Sequence, residues 1–141
     1  MLKGIPSILS PELLKILMEM GHGDELVIAD GNFPSANYAQ RLVRLDGHGV
    51  PEILTAILDL MPLDTYVEAP IALMEVVAGD TYVPQIWSTY GQIISEKEGD
   101  KQVEHIERFT FYERAKASYA VIASGETSLY ANIILKKGVV V

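Results

Sequence analysis

Two residues in the first quarter of the chain, His22 and Asp30, are of types that could act on a small polar ligand. His22 lies between Gly21 and Gly23, whose small size lets backbone and imidazole approach a bound molecule. Asp30 ends the apolar run 26–29 and begins a turn-rich loop. Ligands of α/β sheets bind beyond the carboxyl ends of strands, which is where this aspartate would lie. We therefore predict non-redox chemistry centred on these two residues.

Each of the two residues also has a structural interpretation that spacing alone leaves open. His22 could cap a helix or lie on the surface, and Asp30 could form an Asx-turn that holds the loop. The two residues also stand at opposite ends of one predicted strand. Contact between them would need the fold, or a neighbouring subunit, to bring them together.

Polar residues in the last third of the chain form two further candidate groups. Arg108 and Tyr112 are four residues apart and share one face if a helix includes both, as a guanidinium beside a phenol. Tyr130 and Asn132 lie at the entrance of the last predicted strand and supply a hydroxyl, an amide and backbone donors. Such partners suit a sugar, although an amphipathic helix start and a polar strand entrance have the same pattern.

Composition and motifs argue against several classes of function. The 141 residues carry 11 basic and 19 acidic side chains, a net charge of -8, which disfavours nucleic acid and anionic membranes as partners. The chain has no cysteine, so thiolate nucleophiles, disulfides and zinc–cysteine sites are excluded. His48 and His105 lie in a glycine-flanked loop and a charged segment, and we predict both to be solvated. Motifs of metalloproteases, P-loop proteins, serine hydrolases and dinucleotide-binding enzymes do not occur, which leaves proton transfer as the candidate chemistry.

The segments that must position these residues alternate between helical and strand patterns. Ser10 and Pro11 are typical of a helix start, and Gly21 is expected to end that helix in a left-handed conformation. Further helices are predicted at 51–61, 84–94 and 109–117, strands at 26–29, 41–45, 71–77, 103–106, 119–123 and 132–135, and a solvated charged loop at 96–101. The alternation predicts helices on both faces of a sheet.

We predict one α/β domain, residues 1–141, folded as a three-layer sandwich around a largely parallel or mixed sheet. No apolar run reaches the roughly 20 residues of a membrane span. The first residues are not typical of a secretory signal, and we expect a cytoplasmic protein.

Several blocks of the sequence together resemble the L-fucose mutarotase family, which is related to the D-ribose pyranases. The blocks are Met1-Leu2-Lys3-Gly4, Ser10-Pro11-Glu12-Leu13-Leu14, Met20-Gly21-His22-Gly23-Asp24-Glu25, Ala29-Asp30, Asn32-Phe33-Pro34, Arg44-Leu45-Asp46-Gly47, Pro62-Leu63-Asp64-Thr65-Tyr66, and residues 107–115 and 130–139. They occur in the family's order and cover nearly the whole chain, which is far more specific than any one block. Ala131 departs from the pattern, since the family usually has glycine there.

The resemblance implies an enzyme that interconverts the α and β anomers of L-fucose without a metal or cofactor. It implies rings of subunits, commonly decamers, with sites near subunit contacts. His22 would be the catalytic proton donor, and the implied sugar-contacting residues are Asp30, Asp64, Arg108, Tyr112, Tyr130 and Asn132. The pair Arg108 and Tyr112 favours fucose over ribose. Two alternatives stay open: D-ribose pyranase activity, and a ring-forming sugar-binding or regulatory protein without turnover.

The implied reaction suits these residue types. Opening a pyranose requires a proton delivered to the ring oxygen and a proton removed from the anomeric hydroxyl, and reclosure on the other carbonyl face reverses both transfers. An imidazole can donate and accept protons near neutral pH, and such positioned catalysis contributes about 10²- to 10⁴-fold. The residue that takes the anomeric proton is not identified by the sequence.

Overall fold

A six-stranded mixed sheet forms the middle layer of the protein, and helices cover both of its faces. The structure, a computed structural model, describes all 141 residues. In chain order the elements are α1 (Pro11–Glu19), β1 (Glu25–Ala29), α2 (Ser35–Tyr38), β2 (Leu42–Leu45), α3 (Val50–Leu58), β3 (Ile71–Met74), α4 (Ile86–Glu98), β4 (Val103–Ile106), α5 (Arg108–Ala117), β5 (Ala120–Ser124) and β6 (Ile133–Lys136). The predicted α/β sandwich is confirmed.

The strands lie in the order β2-β5-β1-β6-β3-β4. Parallel pairing joins β2, β5 and β1, and joins β3 and β4, whereas β6 is antiparallel to both of its neighbours, β1 and β3. The carboxyl ends of the first five strands and the amino end of β6 therefore lie along one edge of the sheet. We call this the carboxyl edge and the opposite side the amino edge.

Alternate residues of the buried strands face two separate cores. Along β1, Leu26 and Ile28 pack into the larger core with α1, α3 and α4, whereas Val27 and Ala29 pack into the smaller core with Phe111 of α5. Burial on both faces explains why the strands are continuous apolar runs in the sequence. None of the helices is both long enough and apolar enough to cross a membrane.

The charged segment 96–101 is not entirely the solvated loop that we predicted, because α4 continues to Glu98. Lys97 forms an ion pair with Asp59 of the preceding helical region, and the Glu98 carboxylate accepts a hydrogen bond from the Leu63 N–H. The charges of this last helical turn therefore have tertiary partners, which hydrophobic periodicity cannot reveal.

Loop boundaries near the candidate residues also differ from the prediction. α1 ends at Glu19, and the left-handed glycine that follows is Gly23, with φ 86°, instead of Gly21. The strand predicted at 71–77 ends at Met74, so the next residues leave the sheet at the carboxyl edge. The single-turn helix α2 lies within a segment that its turn-forming residues marked only as a loop.

Candidate functional site

Asp30 and Asn132 meet at the carboxyl edge, where β1 ends and β6 begins. The Asp30 N–H donates to Asn132 Oδ1 at 2.7 Å, and Asp30 Oδ1 accepts from the Asn32 N–H at 2.9 Å. Burial raises the pKa of the Asp30 carboxyl above its ordinary value, and the N–H groups of Asn32 and Phe33 limit the rise. Because Asn132 uses its carbonyl oxygen on Asp30, its NH₂ group is the end that can donate to a ligand.

Tyr130 reaches the same edge in a left-handed conformation, with φ 57°. Its hydroxyl donates to Asp80 Oδ2 at 2.6 Å and accepts from the Val77 N–H at 3.3 Å. Its carbonyl accepts from Trp87 Nε1 at 2.8 Å. The hydrogen bond to Asp80 raises the pKa of Tyr130. Tyr130 therefore ties the segment after β3 to the turn before β6.

Arg108 and Tyr112 share one face of α5, as predicted. Arg108 Nε donates to the Tyr112 hydroxyl at 3.2 Å. The Glu107 carboxylate caps this helix by accepting hydrogen bonds from the N–H groups of Phe109 and Thr110 in its first turn. The first turn of α5 is thus fixed, and it holds the guanidinium at the carboxyl edge.

Two cavities at the carboxyl edge are each lined by one of the candidate residues. A cavity of about 300 Å³ is lined by Asp30 together with Phe33, Arg44 and Ser124, among others. A second, of about 290 Å³, is lined by Arg108 together with Glu75, Val77, Ala78, Glu107 and Phe109. One chain therefore pairs Asp30 with Asn132 and Arg108 with Tyr112, but Asp30 and Arg108 line different cavities.

His22 lies at the amino edge, in the turn that enters β1. The Gly23 N–H donates to the Lys137 carbonyl at 2.9 Å, which ties this turn to the end of β6. His22 Nε2 lies 2.9 Å from Asp64 Oδ1, and the ring centroids of His22 and Tyr66 are 5.2 Å apart. The His22 side chain is 45% exposed and that of Asp64 is 3% exposed. The imidazole thus faces solvent with a buried carboxylate beside it.

The two groups of candidate residues are separated by the length of the sheet. β1, which lies between His22 and Asp30, has five residues and is roughly 16 Å long. The fold of one chain therefore does not bring His22 to Asp30, Asn132 or Tyr130. Of the predicted residues, only Asp64 joins His22.

A family model decides the relationship that the sequence blocks indicated. The model of the RbsD / FucU transport protein family matches residues 3–140. The chain belongs to this family. It is 51% identical over 144 residues to the fucose mutarotase of Homo sapiens, covering 98% of this chain and 94% of that protein. It is also 51% identical over 140 residues to the L-fucose mutarotase of Actinobacillus pleuropneumoniae serotype 5b (strain L20), covering 99% and 97% respectively.

Solved structures of RbsD/FucU proteins share the fold. The fucose mutarotase from Streptococcus pneumoniae, in complex with L-fucose, superposes with a TM-score of 0.95 at 59% identity, covering 99% of this chain and 100% of that chain. RbsD of Bacillus subtilis, complexed with D-ribose, gives a TM-score of 0.75 at 26% identity, with both chains covered completely. The resemblance to this family is confirmed.

Ala131 stands where the RbsD/FucU resemblance led us to expect glycine, and the structure accommodates it. Ala131 is fully buried, and its carbonyl accepts a hydrogen bond of 2.6 Å from the Tyr90 hydroxyl. Tyr130 is the one non-glycine residue with positive φ, so Ala131 carries no left-handed strain. The added methyl group therefore leaves the turn before β6 intact.

Two acidic residues that support the candidate residues at the carboxyl edge were missed in the sequence. Asp80 accepts the Tyr130 hydroxyl. Glu126 accepts the Val50 N–H at 3.1 Å with its carboxylate and the Gly31 N–H at 2.8 Å with its carbonyl. Both acidic residues follow a glycine in a predicted turn, and this was the available signal.

The other two histidines lie apart from the candidate residues. His48 Nδ1 lies 3.1 Å from Glu52 Oε1 with 42% of its side chain exposed, and the exposed His105 packs its ring 4.8 Å from that of Trp87. Their predicted contact with solvent is confirmed. The structure contains no group of three or more His, Cys, Asp or Glu side chains that could hold a metal ion.

Proposed function

We propose that this protein is an L-fucose mutarotase, an isomerase that interconverts the α and β anomers of L-fucose. The observation that carries the proposal is the near-complete structural match to a fucose mutarotase bound to L-fucose. Relatives that match the chain from end to end at about half of their residues are also fucose mutarotases. A ribose-bound relative is much more distant, which favours fucose over ribose.

The proposed reaction is ring opening and closure by proton transfer. His22 protonates the ring oxygen, the anomeric hydroxyl loses a proton, and the C1–O5 bond breaks to give the open aldehyde. Rotation about C1–C2 presents the other face of the carbonyl, and the reverse transfers close the ring. Proton donors and acceptors suffice, because no atom is oxidised or reduced.

The carboxyl edge is the proposed sugar-binding surface. Asp30 accepts hydrogen bonds from sugar hydroxyls, and Asn132 donates with its NH₂ group. Arg108 positions the ring with its fork of donors, and Tyr112 and Tyr130 complete the contacts. The Tyr130 hydroxyl already donates to Asp80, which supports a contact between the sugar and the backbone of Tyr130 instead of its hydroxyl.

We further propose that a ring-shaped homo-oligomer, a decamer as the resemblance implies, completes the site. The separation of His22 from Asp30 within one chain supports this, because one subunit's imidazole could then meet a neighbour's carboxyl edge. A groove of about 490 Å³ beside α1 is lined mostly by apolar side chains, among them the exposed Leu2, Met18, Leu60 and Val140. Apolar surface of this kind suits subunit contact. A single domain over residues 1–141 and a cytoplasmic location are parts of the same proposal.

Magnetisation-exchange NMR on equilibrated L-fucose and D-ribose tests the activity directly. We expect the protein to accelerate exchange between the fucose anomers more than exchange between the ribose forms. Preferential exchange of ribose would make the protein a D-ribose pyranase. Binding of fucose without exchange would make it a sugar-binding protein.

Histidine variants test the assignment of the acid. His22→Gln should lose about 10²- to 10⁴-fold of the catalysed exchange, the usual contribution of a general acid. His48→Gln makes the same substitution at an exposed histidine whose ring hydrogen-bonds to Glu52, and it should exchange fucose like the parent. Full activity of His22→Gln would show that another group protonates the ring oxygen.

A further inference from the structure

Asp64 contacts His22 through a hydrogen bond that connects residues 42 positions apart in the sequence. Asp64 Oδ1 lies 2.9 Å from His22 Nε2 and also accepts the Tyr66 N–H at 3.0 Å. The carboxylate is nearly inaccessible, whereas the imidazole is almost half exposed. A sugar that arrives from solvent therefore meets the ring of His22 on a different side from its bond to Asp64.

The backbone around Asp64 is held by the end of β6. The Asp64 N–H donates to the Lys136 carbonyl at 3.0 Å, and the Gly138 N–H donates to the Pro62 carbonyl at 2.8 Å. A bridge also pairs Leu63 with Lys137. These bonds fix the carboxylate in place before any ligand binds, as required of a group that orients another side chain.

The charge state of Asp64 determines which nitrogen of His22 carries a proton. The Tyr66 N–H, together with His22, holds the pKa of the Asp64 carboxyl below its ordinary value, so Asp64 is an anion at neutral pH and can only accept. His22 Nε2 must then carry a proton. Nδ1, which makes no hydrogen bond within the chain, is the nitrogen left to exchange protons with the substrate.

We infer that Asp64 is the positioning residue of His22 and not a ligand of the sugar: it keeps a proton on Nε2 and points Nδ1 at the ring oxygen. The proton delivered to the ring oxygen is then the Nδ1 proton of the imidazolium form, and its transfer leaves the neutral Nε2–H tautomer. This reassigns the sugar contact that the family resemblance implied for Asp64. The inference rests on the proposed acid role of His22. Asp64 acts entirely through the imidazole, in the way that carboxylates orient catalytic and metal-binding histidines elsewhere.

Kinetics of Asp64→Asn separate a positioning residue from a sugar ligand. Asparagine has nearly the same shape but no longer forces a proton onto Nε2. We expect kcat for fucose exchange to fall by at least about tenfold, with KM unchanged within about twofold. Asp100→Asn removes the same charge from an exposed residue without hydrogen bonds, and it should behave like the parent. A rise in KM at unchanged kcat would identify Asp64 as a sugar ligand and overturn the inference.

Histidine nitrogen NMR provides a readout that does not depend on activity, and its main result comes from the parent protein. Magic-angle-spinning spectra of the ¹⁵N-histidine-labelled parent, at a pH where the imidazole is neutral, should show His22 with protonated Nε2 and bare Nδ1. The signals are assigned by their loss in His22→Gln. Asp64→Asn should give a mixture of tautomers. A neutral His22 that carries its proton on Nδ1 in the parent overturns the inference. If the parent shows the Nε2–H tautomer but does not accelerate fucose exchange, only the proposed function is refuted.

Discussion

Replacing Gly138 by alanine is expected to destabilise the fold and to disturb His22 through Asp64. A Cβ on Gly138 would lie 2.4 Å from the Leu63 carbonyl oxygen, 2.7 Å from its carbon and 3.0 Å from Asp64 Cα. Ordinary contact begins at 3.4 Å, so the two segments must separate by 3.4 minus 2.4, or about 1 Å. The φ of Gly138 is not positive, so the contact itself is the cause of the penalty.

The size of the Gly138→Ala effect follows from this displacement. Overpacking against backbone costs about 1–3 kcal/mol. For a domain of this length, 1 kcal/mol corresponds to about 4 °C, so Tm should fall by roughly 4–12 °C. Displacement of the Leu63–Asp64 backbone would also disturb the 2.9 Å bond between Asp64 and His22. Fucose exchange should therefore fall along with Tm.

Gly91→Ala is the matched control, because it adds the same methyl group where nothing lies within 4 Å. Gly91 is inside α4, where alanine is the better helix former by about 0.8–1 kcal/mol, so Tm should rise by roughly 3–4 °C. Thermal unfolding followed by circular dichroism, at one fixed subunit concentration, measures both variants. A Gly138→Ala protein with the parent's Tm and the parent's exchange rate would refute the reasoning.

Two substitutions at the carboxyl edge test the sugar-binding half of the site. Asp30→Asn should abolish fucose exchange yet raise stability at pH 7, because the raised pKa of Asp30 means that its ionised form opposes folding. The gain in the free energy of unfolding should grow as pH rises above 3.8, the ordinary pKa of an aspartate, and vanish below it. Urea unfolding between pH 3 and pH 7 measures this dependence. A gain that does not change with pH would contradict the prediction. Asn132→Ala leaves the buried Asp30 N–H without its acceptor and should lower the free energy of unfolding by about 1–3 kcal/mol in urea titrations. A loss below about 0.5 kcal/mol would mean that water or another group replaces Asn132.

The layers of the fold were predictable from the sequence because of how the strands are buried. Residues 26–29 form an apolar run since both faces of β1 are covered, and the same pattern marked β3 and β5. The direction of β6 was not predictable in this way, because an apolar run has the same composition whichever way the strand points. The end of α4 was missed because its charged residues are stabilised by tertiary partners.

The candidate site was predictable residue by residue but not as an arrangement. His22 and Asp30 stood out through their glycine and strand contexts, and their separation followed from the single strand between them. Asp64 was indicated only by the family resemblance, since no local spacing connects it to His22. The engagement of the Tyr130 hydroxyl by Asp80 also depends on the path of the chain after β3.

The single antiparallel strand, β6, sets the distance between the two groups of candidate residues, one around Asp30 at the carboxyl edge and one around His22 at the amino edge. Asn132 immediately precedes this four-residue strand and holds Asp30, while Lys136 is its last residue and holds Asp64. A deletion of one residue from β6 would turn the following side chains to the opposite face and shorten this spacer by about 3.4 Å. This one deletion would then disturb both groups of candidate residues. We therefore expect the length of β6 to tolerate change less than the length of any surface loop in the protein.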